Sequence, residues 1–239
     1  MFTTAVLATL LYAQVPDSPK IPVGFDVKHS VKEDVYDART VYPRFRSRSA
    51  VANLANTESR SFLKNIYDTF MDGIKELEES GVEQYTMYDT SSGPVVSIAQ
   101  RDFISLYVGT ADYMGGAHPN RSYHGMTWGM VDGKAKRMKF ADFLKDGADP
   151  VAVASKAVVP KLIEAEATWF EDGEITMLDE KMTENFVVTP AGITWLFSPY
   201  EAGPYTDGEF FIKVPWAELK DYLRSSLFTG SANTLKVIS

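Results

Sequence analysis

The sequence predicts an α+β fold: antiparallel sheets with one long N-terminal helix. Three observations carry that prediction. Apolar residues alternate with polar ones from Val23 to Val31, apolar residues recur at three- and four-residue steps from Ser49 to Ser80, and the last third returns to short strand-like runs. Strands and helices fall in separate groups instead of alternating, which argues against a doubly wound parallel sheet. A chain of 239 residues, 45% hydrophobic and 23% charged, has the balance of a core-forming globular protein. Its formal charge of -8 repels nucleic-acid phosphates and anionic lipid and favours basic partners. With no cysteine, disulfides, thiol catalysis and cysteine-bound zinc are excluded.

Residues 1–13, MFTTAVLATLLYA, are apolar, too short to span a bilayer and followed by a polar, proline-bearing stretch. They read as a signal peptide, which predicts a secreted or periplasmic protein with no membrane span after its removal. Residues 20–81 then form one unit, a hairpin plus the long helix. Val23, Phe25, Val27 and Val31 share one face of a half-buried strand, and Val35 to Tyr42 completes the hairpin before Pro43. In the helix, Gly81 supplies the C-terminal stop, and a break near Asn56-Thr57 is expected.

Residues 82–228 form the second unit. Val82 to Tyr88, Pro94 to Gln100 and Phe103 to Gly109 read as strands, with Asp89 to Gly93 as the first turn. Beyond the next loop His124, Met126, Trp128 and Met130 share one strand face, and Asp132-Gly133 marks a hairpin turn. Asp149-Pro150 starts a helix, Asp as N-cap and Pro where its missing N–H is harmless, which runs towards Trp169 with a kink at Pro160. Six acids between Glu171 and Glu184 face only Lys181 and read as an exposed acidic loop. Strands follow at Asn185 to Thr189, Ile193 to Ser198 and Glu209 to Val214, and Pro215 opens a last helix.

The chemistry gathers in Tyr113 to His124, YMGGAHPNRSYH, which holds two of the three histidines. Gly115 and Gly116 permit positive φ, Pro119 pushes His118 towards extended geometry, and Asn120 can close a turn with its side chain. Two histidines six apart do not define a metal site, no GxSxG or phosphate loop is present, and strand periodicity turns His124 towards the core. The residues therefore point to no cofactor, no metal and no assigned catalytic group. His118 and Tyr113 stay open, either as a recognition surface or as parts of a fold-determining turn.

Tyr113 to Asn120 resembles the Y-x-GGAH-x-N signature of a bacterial cell-envelope domain of unknown function. That domain occurs in the extracellular part of the anti-sigma factor RsiV and beside peptidoglycan deacetylases of the PdaC type. Phe140 to Leu144 resembles its short helix, Asn185 to Tyr205, NFVVTPAGITWLFSPYEAGPY, its strand-and-tyrosine segment, and Phe210 to Leu223 its closing strand and helix. Met114 stands where Thr is usual, and Ala202-Gly203 replaces a bulkier pair. The resemblance implies a C-terminal α+β domain of the actin-like ATPase subdomain type, lacking nucleotide machinery. It also implies a non-catalytic binding module whose partner is a basic protein such as lysozyme, or peptidoglycan. Tyr113, Gly115, Gly116, His118, Asn120, Tyr200 and Tyr205 are the candidate binding residues. A metal-dependent or other hydrolase using His118, and a structural envelope protein, are the alternatives.

Overall fold

The computed structural model describes residues 18–81 and 86–224; the segment read as a signal peptide lies outside them. It shows an α+β fold with a six-stranded sheet in the order β1 to β6, and a three-stranded sheet of β7, β8 and β9. β1 (Val23–Lys32) and β2 (Tyr36–Phe45) form the predicted antiparallel hairpin. α1 (Ala50–Ser80) starts at Ser49, whose side chain accepts from the Ala52 N–H, and stops at Gly81 with φ 68. It is unbroken where a break was expected. The Asn56 side chain accepts from Phe45 N–H at 2.8 Å and donates to Phe45 C=O at 3.0 Å, so it satisfies β2 and leaves the helix ladder intact.

β3 (Tyr88–Gln100) is one continuous strand, so the expected turn at Asp89 to Gly93 does not exist. These residues pair in parallel with β2, from Tyr36 opposite Tyr88 to Thr40 opposite Ser92, and antiparallel with β4 (Phe103–Tyr113). Thr90 and Ser92 are buried under α1, and the Ser92 hydroxyl bonds Thr40 Oγ1 at 3.1 Å. Bonding on both edges outweighs the local turn preference of Ser and Gly. The parallel β2–β3 pair is also an exception in an otherwise antiparallel sheet. It follows from α1 crossing over between the two strands.

β1 orients against its own pattern. Phe25, Val27 and Val31 point to solvent, each more than half exposed. Val27 sits opposite Val41, whereas Ala38, Thr40 and Tyr42 of β2 are the residues buried under α1. Register with β2 therefore assigns the even residues of β1 to the helix side. Lys28 there places its ammonium 3.4 Å from the Tyr67 ring centre, and Asp26 pairs with Arg44 and Arg60. Under α1 the sheet buries Ile104, Leu106 and Val108 of β4 with Met126 and Trp128 of β5 (Asn120–Val131). Asp132 and Gly133, at φ 50 and 74, turn β5 into β6 (Lys134–Arg137) as predicted.

A 3₁₀ turn at Phe140–Phe143 leads to α2 (Pro150–Glu164), capped by Asp149. α2 ends before Trp169, because Glu166 takes φ 59 and a separate turn, α3 (Thr168–Glu171), follows. The acidic segment folds into α4 (Glu180–Glu184), with Asp179 accepting from the Met182 N–H. β7 (Phe186–Thr189), β8 (Gly192–Phe197), β9 (Phe210–Pro215) and α5 (Trp216–Leu219) complete the fold. Their core is aromatic: Phe140, Phe143, Phe197 and Trp195 are all fully buried.

The small sheet lies on the face of the large one opposite α1. Contact there is backbone-close, because a Cβ built at Gly125 would lie 1.9 Å from the Phe186 carbonyl oxygen. Asn185 accepts from Gly125 N–H at 2.9 Å and donates to Tyr123 C=O at 2.9 Å and Leu196 C=O at 2.8 Å. The Ser105 hydroxyl accepts from Val188 N–H at 2.8 Å, and the Ser97 hydroxyl donates to Val188 C=O at 2.6 Å. Four otherwise orphaned backbone groups of β5 and β7 are satisfied this way.

Candidate functional site

This junction fixes where the β4–β5 loop meets the β8–β9 loop. Gly115 and Gly116 have φ 85 and 117, as the sequence requires of that reversal. Tyr113 closes it by donating to Gly116 C=O at 3.1 Å, and Asn120 reaches Asp112 at 3.4 Å. Tyr113, Gly115, Gly116 and Asn120 thus shape the loop from within.

The other three candidates meet across the junction. The His118 ring stacks on Tyr205 with centroids 3.6 Å apart and planes 15° off parallel, and Tyr200 stands 5.7 Å from Tyr205. Pro119 C=O anchors the cluster, accepting from the Tyr205 hydroxyl at 3.0 Å and from His118 Nδ1 at 3.2 Å. With the Nδ1 proton committed, Nε2 of the neutral ring is the acceptor facing the Tyr200 hydroxyl at 3.4 Å. Tyr200 is 55% exposed and holds φ 69. His118 and Tyr205 are half-buried behind it.

The acidic segment abuts the same loop. Trp169 N–H donates to Ala202 C=O at 3.2 Å, and Lys181 pairs with Glu201 at 2.9 Å. Asp179 and Glu184 are used as caps, Glu184 accepting from Phe140 N–H at 3.1 Å, while Glu171, Asp172, Glu174 and Glu180 stay exposed. Burial raises the Glu184 pKa.

His124 belongs to the α1 side, as its strand position predicts. Its ring meets Phe62 edge-on at 5.1 Å, Nε2 lies 3.0 Å from Ser122 Oγ, and burial lowers its pKa. The third histidine, His29, pairs with Asp37 at 2.8 Å on the β1–β2 hairpin. Among the described residues no three His, Asp or Glu side chains converge as a metal site would require. No described helix is long and apolar enough to cross a membrane.

Sequence reasoning did not single out Ser105 and gave Asn185 no role. Their signal is a lone polar side chain beside apolar strand residues, Phe-Ile-Ser-Leu around Ser105 and Asn-Phe-Val-Val from Asn185. A buried polar group in such a run needs a designated partner.

Residues 141–217 match the family described as "Protein of unknown function (DUF3298)". No curated protein matches the chain. The fold is similar to the crystal structure of a DUF3298 family protein from Pseudomonas aeruginosa PAO1. That match has a TM-score of 0.59 at 12% identity, covering 89% of this chain and 99% of the other. A DUF3298 family member from Bacteroides fragilis NCTC 9343 matches with a TM-score of 0.54 at 16% identity, covering 86% and 95%. Residues 141–217 are thus similar to a domain of unknown function, DUF3298, and the fold over most of the chain is similar to solved structures of that family.

Proposed function

We propose that this chain is a secreted or periplasmic, non-catalytic binding module that recognises a basic protein of the cell envelope, of the lysozyme-like muramidase kind. The observation that carries this is the exposed Tyr200, backed by Tyr205 and His118 and flanked by an acidic segment tied to its own loop. A rigid tyrosine with a polar tip is a common anchor at protein interfaces. The exposed Glu171, Asp172, Glu174 and Glu180 beside it, on a chain of net charge -8, steer a cationic partner towards it. Hydrolysis by His118 is less favoured, because its Nδ1 bonds the loop's own carbonyl and its Nε2 faces a tyrosine hydroxyl.

Titration calorimetry with hen lysozyme at low and high salt, beside a pull-down on purified peptidoglycan, tests the proposal. Saturable lysozyme binding that weakens with salt, and about tenfold more in Tyr200→Ala, is the expected result. No lysozyme binding at low salt, or retention by peptidoglycan alone, refutes it.

A further inference from the structure

We propose that the cleft between α1 and strands β3 to β5 binds a small hydroxyl-rich ring without negative charge, of the neutral hexose or amino-sugar class. The site shares no residue with the His118, Tyr200 and Tyr205 cluster and does not rest on the muramidase reading. Near its N-terminus α1 seals against the sheet with fully buried Val51, Ala55 and Leu63. Near its middle the seal opens into a cavity of about 400 Å³, within the size range of small-molecule sites.

Thr110, Asp112, Ser122 and His124 line the sheet side of this cavity, and Asn65 and Thr69 the helix side. Asn65 and Thr69 are exposed and open the cleft to solvent, whereas Thr110, Asp112, Ser122 and His124 are half-buried and call for hydrogen-bond partners. Some partners are internal: Thr110 Oγ1 lies 2.6 Å from Ser122 Oγ, which lies 3.0 Å from His124 Nε2. A hydroxyl offers one donor and two acceptor sites, so Thr110 and Ser122 keep capacity for further hydrogen bonds.

The lining also defines the ligand's charge. It contains no Lys or Arg, and its one full charge is the Asp112 carboxylate. An anion would meet that carboxylate without a counter-charge, whereas an uncharged ring or an ammonium is accepted. Ile66, Phe70 and Met114 supply the apolar part of the lining, suited to the C–H face of a ring. Met114 comes from the β4–β5 loop, so the loop whose far side positions His118 also closes this cleft.

Saturation-transfer NMR with glucose, N-acetylglucosamine, glucosamine and glucuronate decides the matter. The proteins compared are the wild type, Thr69→Trp and Tyr200→Ala. Thr69 is an exposed helix position, so Trp there blocks the cleft with the fold retained, which circular dichroism verifies. A neutral or amino sugar should saturate, with glucuronate at least about tenfold weaker. Thr69→Trp should abolish the signal, and Tyr200→Ala should keep it. The proposal is overturned if no sugar saturates, if glucuronate matches glucosamine, or if the signal survives Thr69→Trp. Loss of the signal in Tyr200→Ala alone would also overturn it and place the sugar on the tyrosine cluster.

Discussion

Replacing Gly125 by alanine tests the junction on which the tyrosine–histidine cluster depends. The added Cβ would lie 1.9 Å from the Phe186 carbonyl oxygen, 2.5 Å from its carbon and 2.8 Å from its nitrogen. All three are backbone atoms of a paired strand, so no rotamer change relieves the overlap and the sheets must separate by about an ångström. Separation loosens the Asn185 bond to Gly125 N–H and the Ser105 bond to Val188 N–H. Overpacking strain of about 1–3 kcal/mol plus two weakened bonds of about 1 kcal/mol each gives roughly 3–5 kcal/mol. Urea and thermal unfolding read this directly, with Tm expected to fall by roughly 10 °C. Gly129→Ala is the internal control. Its Cβ meets chiefly the flexible Met138 Sδ at 2.6 Å, so it should destabilise less. A Tm loss below about 2 °C in Gly125→Ala, or a larger loss in Gly129→Ala, would refute the reasoning.

Asn56→Leu leaves the Phe45 N–H without its acceptor and the Phe45 C=O with the Ser47 N–H alone, and should destabilise by about 1–2 kcal/mol in urea unfolding. Gly116→Val places a branched residue at φ 117 and should lower stability by about 1–3 kcal/mol through strain alone, since nothing lies within 4 Å of its Cβ; Gly116→Asn should lose less. His124 gives a pH signature. Burial lowers its pKa from the usual 6.5, with Lys181 and Arg137 adding to the effect and Glu201 opposing it. As pH falls below 6.5 the unfolded chain takes up the proton first, so His124-linked stability is present above that value and is lost down to the folded pKa. The opposite-signed contribution of Glu184 is removed by comparison with His124→Gln, in which the histidine part of the slope should vanish.

What the sequence revealed follows the range of the forces involved. Ser49 and Gly81 bound α1 through contacts within one turn, and Asp132-Gly133 sets its hairpin the same way. Those features are legible from neighbouring residues. The strand course of Asp89 to Gly93 is not, because it depends on β2 and β4, more than ten residues away on either side. Nor is the outward turn of Phe25, Val27 and Val31, since β2's register decides it. The site shows the same division. Gly115, Gly116 and Pro119 announce a shaped loop, but the stacking of His118 on Tyr205 comes from a junction built by Asn185, Ser105 and Gly125. Asn65 and Thr69 look like the solvent face of an amphipathic helix, and only their position against Ser122 and His124 makes them cleft residues.

Tyr200 offers the sharpest separation of binding from packing. A bulky residue at φ 69 is strained by roughly 1–2 kcal/mol, a strain that glycine would not carry. The residue is 55% exposed, and its side chain makes tilted contacts with Tyr205 at 5.7 Å and His118 at 6.4 Å and one long hydroxyl bond to His118 Nε2 at 3.4 Å, so it returns little packing for that strain. Residues held against backbone preference with so little internal compensation cluster where the side chain meets something outside the fold. Tyr200→Gly removes the ring and the strain together, while the extra chain entropy of glycine takes back roughly 0.5–1 kcal/mol. Stability should therefore stay level or rise slightly, with Tm moving by less than about 3 °C, while affinity for the basic partner falls by about tenfold or more. A large Tm loss would make Tyr200 a packing residue. Unchanged affinity would remove it from the recognition surface even if the cluster behind it is intact.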